Sequence, residues 1–282
     1  MFETGLLKDK RILITGGGTG LGRAMAERFL RLGAHVHICG RREEVLRQTS
    51  EELARSGLTN MRFTPCDVRD PDAVESMIDA IWRDAPLNVL VNNAAGNILA
   101  RTEELSPRAW DAVLGIVLTG TINATMSCGR RWLAACERAT VLSVSTTYAA
   151  TGSGSAFVVP SAVAKAGVAA LTTSLAVEWG PRGIRLNGIA PGPVPTEGAF
   201  SRLIPSPELE KAALRRNPLR RFGTLEEFSN LAAFLVSDGC TYINGEIVIM
   251  DGGEWLQGAG EFSELGGSLR DEDWQALRPK KR

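Results

Sequence analysis

Two side chains in the segment VVPSAVAKAG, residues 158–167, could act together in chemistry. Ser161 and Lys165 are four residues apart within a stretch that predicts a helix over 160–180. Residues at this spacing lie on one face of a helix, so the hydroxyl and the ammonium group can join one hydrogen-bond network. The ammonium group offers three N–H donors to such a network. This segment is therefore the first candidate site.

A second candidate site is the glycine-rich stretch ITGGGTGLG, residues 14–22, which contains Gly16, Gly18, Thr19, Gly20, Leu21 and Gly22. It follows an apolar strand and opens a helical pattern. Glycine allows positive φ and lets the backbone approach a pyrophosphate closely, while the helix N-terminus offers unpaired N–H groups. This strand–turn–helix context predicts a dinucleotide site. A glycine-rich turn without a ligand is the alternative.

The end of the next strand indicates which dinucleotide is bound. Sites for NAD place Asp or Glu there to accept a hydrogen bond from the ribose 2′-hydroxyl. This chain has Arg41 and Arg42 instead, and a guanidinium group can hold a 2′-phosphate through two hydrogen bonds. We therefore expect NADP(H), with a solvated helix start as the alternative reading of the two arginines.

The elements that position these residues alternate between strand and helix along the whole chain. Strands are predicted at 11–16, 35–40, 61–68, 87–96, 139–146, 184–192 and 245–253, and helices at 20–33, 42–57, 71–84, 107–137, 160–180 and 224–236. Such alternation predicts a parallel sheet covered by helices on both faces, a three-layer α/β/α architecture. One domain over 1–282 is expected, with 193–220 as a substrate lid and 255–282 as a C-terminal extension.

Composition excludes several classes of protein. The chain has 32 basic and 32 acidic residues, which argues against a nucleic-acid-binding or membrane-surface protein. No apolar run is expected to reach the roughly 18 residues of a membrane span. The five scattered cysteines and two histidines predict no disulfide framework and no metal site. The start lacks a signal region and the end, RPKKR, lacks a peroxisomal address, so a cytoplasmic protein is expected.

Further blocks follow in order: CDV at 66–68, NNAAG at 92–96 and PGP at 191–193. With the glycine-rich turn, the chain resembles the short-chain dehydrogenase/reductase family over essentially its whole length. That resemblance implies a Rossmann-type doubly wound sheet and a homotetramer. It also implies cofactor contacts from the turn and from Asp67, Val68, Asn93, Ala94, Gly96, Lys165, Pro191, Gly192, Pro193 and Val194.

The chain departs from the usual family pattern at two positions. Ser161 stands where a tyrosine normally precedes the lysine by four residues, and Val117 replaces the usual helix asparagine. Both departures, with NNAAGN, TYAATGSG and FVVPSAVAKAGV, resemble the 2,4-dienoyl-CoA reductase branch. In that branch the catalytic set would be Tyr148, Asn97, Lys165 and Ser161, and the acyl-CoA contacts would be Arg69, Ile98, Ser106 and Arg202. The segment 151–161 is about two residues longer than the branch pattern.

The resemblance implies NADPH-dependent reduction of 2,4-dienoyl-CoA to 3-enoyl-CoA in unsaturated fatty-acid β-oxidation. Hydride addition to a conjugated thioester places negative charge on the thioester oxygen, and that oxygen needs hydrogen-bond donors where the charge develops. A tyrosine hydroxyl and an asparagine amide are suitable donors. Two alternatives stay open: a related reductase for 2-enoyl-CoA or carbonyl substrates, and a non-catalytic NADP(H)-binding protein.

Overall fold

The computed structural model describes residues 3–152, 155–196, 207–259 and 272. Its centre is a seven-stranded sheet in the order β3-β2-β1-β4-β5-β6-β7, and every neighbouring pair is parallel. The strands are β1 (Arg11–Thr15), β2 (His35–Gly40), β3 (Met61–Pro65), β4 (Val89–Asn92), β5 (Ala139–Val144), β6 (Ile184–Pro191) and β7 (Ile247–Met250). The strand order reverses between β1 and β4, so the predicted doubly wound Rossmann-type fold is confirmed.

Helices cover both faces of this sheet. They are α1 (Gly20–Arg31), α2 (Glu43–Arg55), α3 (Pro71–Asp84), α4 (Pro107–Leu114), α5 (Gly120–Ala135), α6 (Thr147–Ala150), α7 (Val159–Trp179), α8 (Pro207–Arg216), α9 (Leu225–Val236) and α10 (Glu254–Ala259). The sequence pattern did not predict the short helices α6, α8 and α10. A single helical turn such as α6 is too short for a 3.6-residue periodicity to show.

Two apolar cores lie on opposite faces of the sheet. One joins α1, α2 and α9 to the strands through side chains such as Phe29, Leu46 and Phe228. The other joins α3, α5 and α7 through side chains such as Ile78 and Trp132. Because helices cover both faces of the sheet, β4 and β5 are buried at every position, including the polar residues Asn92 and Ser143.

The helix predicted over 107–137 is interrupted near its middle. Residues Gly115–Thr119 form a π-helical turn between α4 and α5, and both of its ends keep right-handed helical backbone angles. The extra residue of a π-helical turn rotates the face that the helix presents to its neighbours. The interruption falls on Val117, the position at which the family asparagine is missing.

Two helical stretches, Pro107–Ala135 and Val159–Arg182, are long and apolar enough to cross a membrane, with mean hydropathies of 1.4 and 1.2. The expectation that no apolar run approaches this length is therefore wrong. Both stretches pack against the sheet, and 50% and 44% of their apolar windows are buried. Core helices of this kind meet the same criteria, so the finding is weak evidence for a membrane span.

The predicted lid and C-terminal extension are described only in part. The lid segment is described at 193–196 and 207–220, where it contains α8. The extension is described at 255–259 and at residue 272. The assignment of 1–282 to a single domain stays a prediction.

Candidate active site

The glycine-rich turn has the geometry that a pyrophosphate requires. Gly16 and Gly20 have positive φ values of 66° and 54°, which other residues rarely adopt. A Cβ atom on Gly22 would clash with the backbone carbonyl oxygen of Gly16 and would lie 2.5 Å from Asn93 Nδ2, so only glycine fits there. Thr19, at the N-cap of α1, makes no side-chain capping hydrogen bond. The first amide groups of this 12-residue helix are therefore available to a phosphate.

Thr15, which the sequence analysis missed, ties the glycine-rich turn to the loop after β4. Its buried hydroxyl accepts hydrogen bonds from the backbone amides of Asn93 and Ala94, each at 3.0 Å. The Asn93 side chain donates in turn to the carbonyl oxygens of Thr15 and Gly16 at 3.0 and 3.1 Å. These bonds fix the two loops at the point where the strand order reverses.

The loop after β6 also reaches the glycine-rich turn. A Cβ atom on Gly192 would meet the Cβ of Asp251 at 2.8 Å, so this loop lies tightly on the segment after β7. Farther along, Thr196 lies against Gly20, since a Cβ atom there would be 3.6 Å from Thr196 Cβ. The sequence analysis placed residues 191–194 at the cofactor but missed Thr196. A hydroxyl five residues beyond the strand end was the available signal.

Arg41 and Arg42 are both exposed at the start of α2, where Arg42 is the N-cap residue.

Asp67 follows β3 as Arg41 follows β2, and the guanidinium group of Arg69 is hydrogen-bonded to the Asp67 carboxylate. Arg69 Nε lies 3.0 Å from both Asp67 oxygens, and Arg69 Nη2 lies 2.6 Å from Oδ2. These hydrogen bonds lower the pKa of Asp67, and the charge of Arg41 adds to the shift. The carboxylate is therefore ionised at neutral pH.

Tyr148, Ser161 and Lys165 are brought together at the carboxyl end of β5. The Tyr148 hydroxyl lies 3.3 Å from the Ser161 hydroxyl oxygen, and either group can donate. Lys165 is 6% exposed, and its ammonium group donates to the carbonyl oxygen of Val144, the last residue of β5. Burial lowers the pKa of Lys165 to about 8. A buried cation, a serine and a tyrosine thus lie close to the same strand end.

The longer segment between Tyr148 and Ser161 does not draw the tyrosine away. Tyr148 lies on α6, directly after β5, and is half-buried. Farther on, Phe157 adopts a left-handed backbone with φ of 66°, and its carbonyl accepts a hydrogen bond from the Ala100 amide at 3.0 Å. Within the described part of the segment, that bond joins it to the loop carrying Asn97 and Ile98.

Asn97 is exposed, and its side-chain oxygen accepts a hydrogen bond from the Ile98 amide at 2.9 Å. The bond fixes the amide orientation and leaves the Nδ2 group free to donate. Within the described residues, Asn97 makes no hydrogen bond to Tyr148, so the predicted convergence of the two groups stays a prediction.

Val117 is 1% exposed and belongs to a small apolar cluster with Val113, Ala164 and Val168. Its side chain packs against the helix that carries Ser161 and Lys165. A polar side chain here would need a partner inside an apolar cluster. At the position of the usual family asparagine, Val117 therefore contributes apolar packing against α7.

Three buried oxygen atoms at this edge of the sheet have no hydrogen-bond partner among the described residues: Asn92 Oδ1, Ser145 Oγ and Thr146 Oγ1. Asn92 ends β4, and the other two residues follow β5. Buried polar atoms normally find partners, so a group of unpaired ones is typical of a site that binds a polar ligand. The sequence analysis did not single out these residues.

The residues predicted to bind substrate differ in what the structure shows. Arg69 holds Asp67 with one edge of its guanidinium group, and Ser106 caps α4 by accepting from the Ala109 amide at 3.3 Å. Ile98 is half-buried beside the cluster around Val117. Arg202 lies outside the described residues.

The described cysteines are free, and four of the five are buried. Burial raises the pKa of Cys66 to about 11 and of Cys128 to about 12, so both are protonated thiols at neutral pH. A thiol in this state is a poor nucleophile, so these two side chains contribute packing rather than chemistry.

A family model described as enoyl-(acyl carrier protein) reductase matches residues 16–254. The chain belongs to the short-chain dehydrogenase/reductase family. It is an oxidoreductase, and the family implies a nicotinamide cofactor. The family model covers every predicted site residue.

Relatives with more specific names are similar over most of the chain. A probable 2,4-dienoyl-CoA reductase 3 of Caenorhabditis elegans, named (3E)-enoyl-CoA-producing, is 45% identical over 90% of this chain and 83% of its own length. A probable 2,4-dienoyl-CoA reductase of Bacillus subtilis, named (2E)-enoyl-CoA-producing, is 43% identical over 89% and 98%. The crystal structure of a short chain dehydrogenase from Bacillus anthracis superposes with a TM-score of 0.79, at 38% identity, covering 87% and 96%.

Proposed function

We propose that this protein reduces 2,4-dienoyl-CoA to 3-enoyl-CoA with NADPH, as a step in the β-oxidation of unsaturated fatty acids. The observation that carries the proposal is the 3.3 Å contact between the hydroxyl groups of Tyr148 and Ser161, close to the buried Lys165. The tyrosine lies just after β5, and serine occupies the usual tyrosine position. This arrangement suits a reaction in which the substrate's thioester oxygen carries negative charge only transiently and retains no proton in the product. The relatives named as 2,4-dienoyl-CoA reductases support the same activity.

The proposed chemistry explains why a displaced tyrosine is sufficient. A nicotinamide cofactor held at this site would supply the hydride that the δ-carbon of the dienoyl chain accepts. The electron pairs shift along the chain, a dienolate forms with its charge on the thioester oxygen, and the α-carbon then takes a proton from water. The Tyr148 hydroxyl and the Asn97 amide donate hydrogen bonds to that oxygen while the charge develops. Ser161 holds the Tyr148 hydroxyl in place.

Lys165 binds and orients in this proposal and transfers no proton to substrate. Its ammonium group has donors beyond the one that Val144 accepts, and these hold the ribose hydroxyl groups next to the nicotinamide. The glycine-rich turn holds the pyrophosphate. Pro191, Gly192, Pro193 and Val194 contact the nicotinamide end, with Thr196 at the pyrophosphate.

NADPH is proposed over NADH because of charge at the end of β2. Arg41 and Arg42 are exposed there, and the position lacks the carboxylate that would repel a 2′-phosphate. Asp67 accepts from the adenine amino group. Titration of the enzyme with NADPH and NADH tests this part, and equal affinity for the two would contradict it.

The CoA part of the substrate is strongly anionic and needs cationic contacts. We assign these to Arg69 and Arg202, with Ser106 and the Ile98 backbone also contacting the substrate. We propose that residues 193–220, which include Arg202, serve as a substrate lid. Stopped-flow fluorescence of a dye placed on α8 tests closure, because the signal should change when acyl-CoA is added and not when NADPH is added alone.

The activity test is the loss of NADPH absorbance with 2,4-hexadienoyl-CoA and 2,4-decadienoyl-CoA. Chromatography against 3-enoyl and 2-enoyl standards distinguishes the two products that the names of the relatives specify. We expect the 3-enoyl product. The match to an enoyl reductase model favours 2-enoyl-CoA as the second candidate substrate. Turnover of 2-hexenoyl-CoA without turnover of either dienoyl substrate would establish that alternative, and binding without any turnover would favour a non-catalytic protein.

We also propose a homotetramer. Apolar side chains are exposed on two separate parts of the surface: Ile122, Val163 and Val177 on α5 and α7, and Phe234, Tyr242 and Ile249 around α9 and β7. Two self-complementary patches would build a tetramer from two kinds of dimer contact. Light scattering should give four times the 30.3 kDa chain mass, and a monomer mass would contradict the proposal.

The cytoplasm is proposed as the compartment, because five free thiols suit a reducing environment. Fractionation of cells with an antibody against the protein tests this, and recovery with a sealed organelle would overturn it.

A further inference from the structure

Asp67 lies between two cations that the proposed function assigns to different ligands. The Cys66 amide donates to the Gly40 carbonyl at 2.9 Å, and Gly40 pairs with Pro65 in the sheet. Arg41 and Asp67 are the residues that directly follow Gly40 and Cys66, so they flank the same strand ends. On the other side, Asp67 accepts hydrogen bonds from the Arg69 backbone amide at 3.1 Å and from its guanidinium group. Asp67 is therefore hydrogen-bonded to Arg69 and close enough to Arg41 for that charge to lower its pKa.

Arg69 is held in a way that leaves half of its guanidinium group available. Nε and Nη2 face the Asp67 carboxylate, and no hydrogen bond among the described residues uses Nη1. The aliphatic part of Arg69 lies over Gly115, where an added Cβ atom would meet Arg69 Cδ at 3.3 Å. Asn123 also donates to the Val68 and Arg69 carbonyl oxygens at 3.0 and 3.4 Å. Together these contacts fix the backbone and point the Nη1 edge away from Asp67.

We infer that Asp67 is a positioning residue that couples the two binding sites, since it lies in the dinucleotide crevice and also holds Arg69 for the phosphate groups of an acyl-CoA. This inference rests on the proposed function. Binding of the cofactor at Arg41 should tighten the binding of acyl-CoA at Arg69.

The sign of the coupling follows from the charges. A cofactor 2′-phosphate occupies Arg41, so that cation no longer compensates the Asp67 carboxylate. The carboxylate then depends more on Arg69 and holds its exposed side chain more firmly in the orientation described above. Acyl-CoA then binds to a cation that is already ordered, so less conformational entropy of the Arg69 side chain is lost on binding. Repulsion between the phosphates of the two ligands is weakened by salt.

The test measures binding and needs no turnover. Hexanoyl-CoA, a saturated thioester that cannot be reduced, is titrated by calorimetry into the protein with and without saturating NADP⁺. We expect the dissociation constant to fall about fivefold with NADP⁺, at the low end of usual coupling strengths. The Asp67→Asn variant should lose this difference while still binding each ligand. Hexanoyl-pantetheine, which has no phosphate, should show no difference in either protein.

Asp84→Asn is the matched control. Asp84 is also an aspartate with two arginines nearby, with Arg11 Nη2 at 2.5 Å and Arg62 Nη1 at 3.1 Å, but it lies at the opposite end of the strands. It should keep the full coupling. Arg69→Lys keeps the charge but lacks the planar fork, so it should keep part of the affinity for hexanoyl-CoA and lose most of the coupling.

The outcomes separate this inference from the proposed function. Coupling that persists in Asp67→Asn, or an equal loss in Asp84→Asn, overturns the role of Asp67. Weaker binding of hexanoyl-CoA in the presence of NADP⁺ overturns the sign. If hexanoyl-CoA does not bind at all, both proposals fail. If it binds with the expected coupling but no dienoyl substrate is turned over, only the proposed reaction fails.

Discussion

The two ends of the parallel strands differ in how their polar groups are satisfied. At the amino end, Asp84 binds Arg11 and Arg62, and His37 shares a 2.8 Å hydrogen bond with Thr64. At the carboxyl end, Lys165 is buried with its charge, and several buried oxygen atoms lack partners within the part of the chain that the structure describes. The same strands thus carry a largely self-satisfied edge and an edge with spare hydrogen-bonding capacity.

The difference shows what each edge does for the molecule. Burial and two nearby arginines lower the pKa of His37 to about 4, so it is neutral at physiological pH and needs no counter-ion. Burial lowers the pKa of Lys165 as well, but this group still keeps its charge at pH 7. A charge retained at a desolvation cost is typical of a functional site. Not every amino-end group is paired, since Arg11 Nε has no partner in the described ranges either.

The largest effect is expected from Tyr148→Phe, which removes one donor from the carboxyl-end site. Loss of an oxyanion donor typically lowers kcat by about 10²- to 10³-fold. Steady-state kinetics with 2,4-hexadienoyl-CoA measure this effect, and NADPH affinity should not change. Tyr242→Phe is the control, because Tyr242 is the second of two tyrosines and is fully exposed away from the site. An unchanged kcat in Tyr148→Phe would remove the tyrosine from the mechanism.

The next largest effect is expected from removing an arginine at the carboxyl end of the strands, compared with removing one at the amino end. Arg41→Ser should lower the affinity for NADPH by about tenfold or more, because a hydrogen bond to a charged group contributes about 1.5–3 kcal/mol. Affinity for NADH should stay the same. Arg62→Ser removes the same charge at the amino end and should leave both affinities unchanged. Equal losses in the two variants would mean that overall charge, and not the site, governs binding.

Lys165→Met should stabilise the ligand-free protein. Lowering the pKa from 10.5 to about 8 corresponds to about 3 kcal/mol of desolvation cost, partly offset by the hydrogen bond to Val144 that the variant loses. We expect a net gain of about 1–2 kcal/mol in the free energy of unfolding at pH 7. Denaturant unfolding of the ligand-free protein measures it.

The gain from Lys165→Met should depend on pH in a defined direction. Between pH 8 and 10.5 the unfolded wild-type chain binds more protons at Lys165 than the folded chain, so this group makes the wild type more stable as pH rises. The advantage of the variant should therefore shrink over that range. An advantage that stays constant up to pH 10 would show that the lysine is not buried with its charge.

The smallest effect is expected from Asp84→Asn at the amino end. Its ion pairs with Arg11 and Arg62 are exposed, and such pairs contribute little. The melting temperature should fall less than it rises in Lys165→Met, and activity should not change. The hydrogen bond from Arg11 lowers the pKa of Asp84, so the small contribution is lost as the pH falls through the acidic range. High salt should remove the difference from wild type.

Most of the fold could be predicted from the sequence, because buried parallel strands and amphipathic helices carry strong periodic patterns. The glycine-rich turn is predictable for a related reason, since only glycine permits the positive φ of Gly16 and the close approach at Gly22. The helix α6 and the π-helical turn at 115–119 could not be predicted, because both depend on packing between elements distant in the sequence.

The sequence by itself determined the doubly wound sheet, the phosphate turn and the pairing of Ser161 with Lys165 on one helix. Only the tertiary structure decided that Tyr148 reaches Ser161 despite the longer segment between them, and that Asp67 holds Arg69. Periodicity and turn chemistry act within a few residues, so they can be read along the chain. The meeting of a strand end with a helix depends on how the two elements pack, and that is fixed only when the sheet and its helices are assembled.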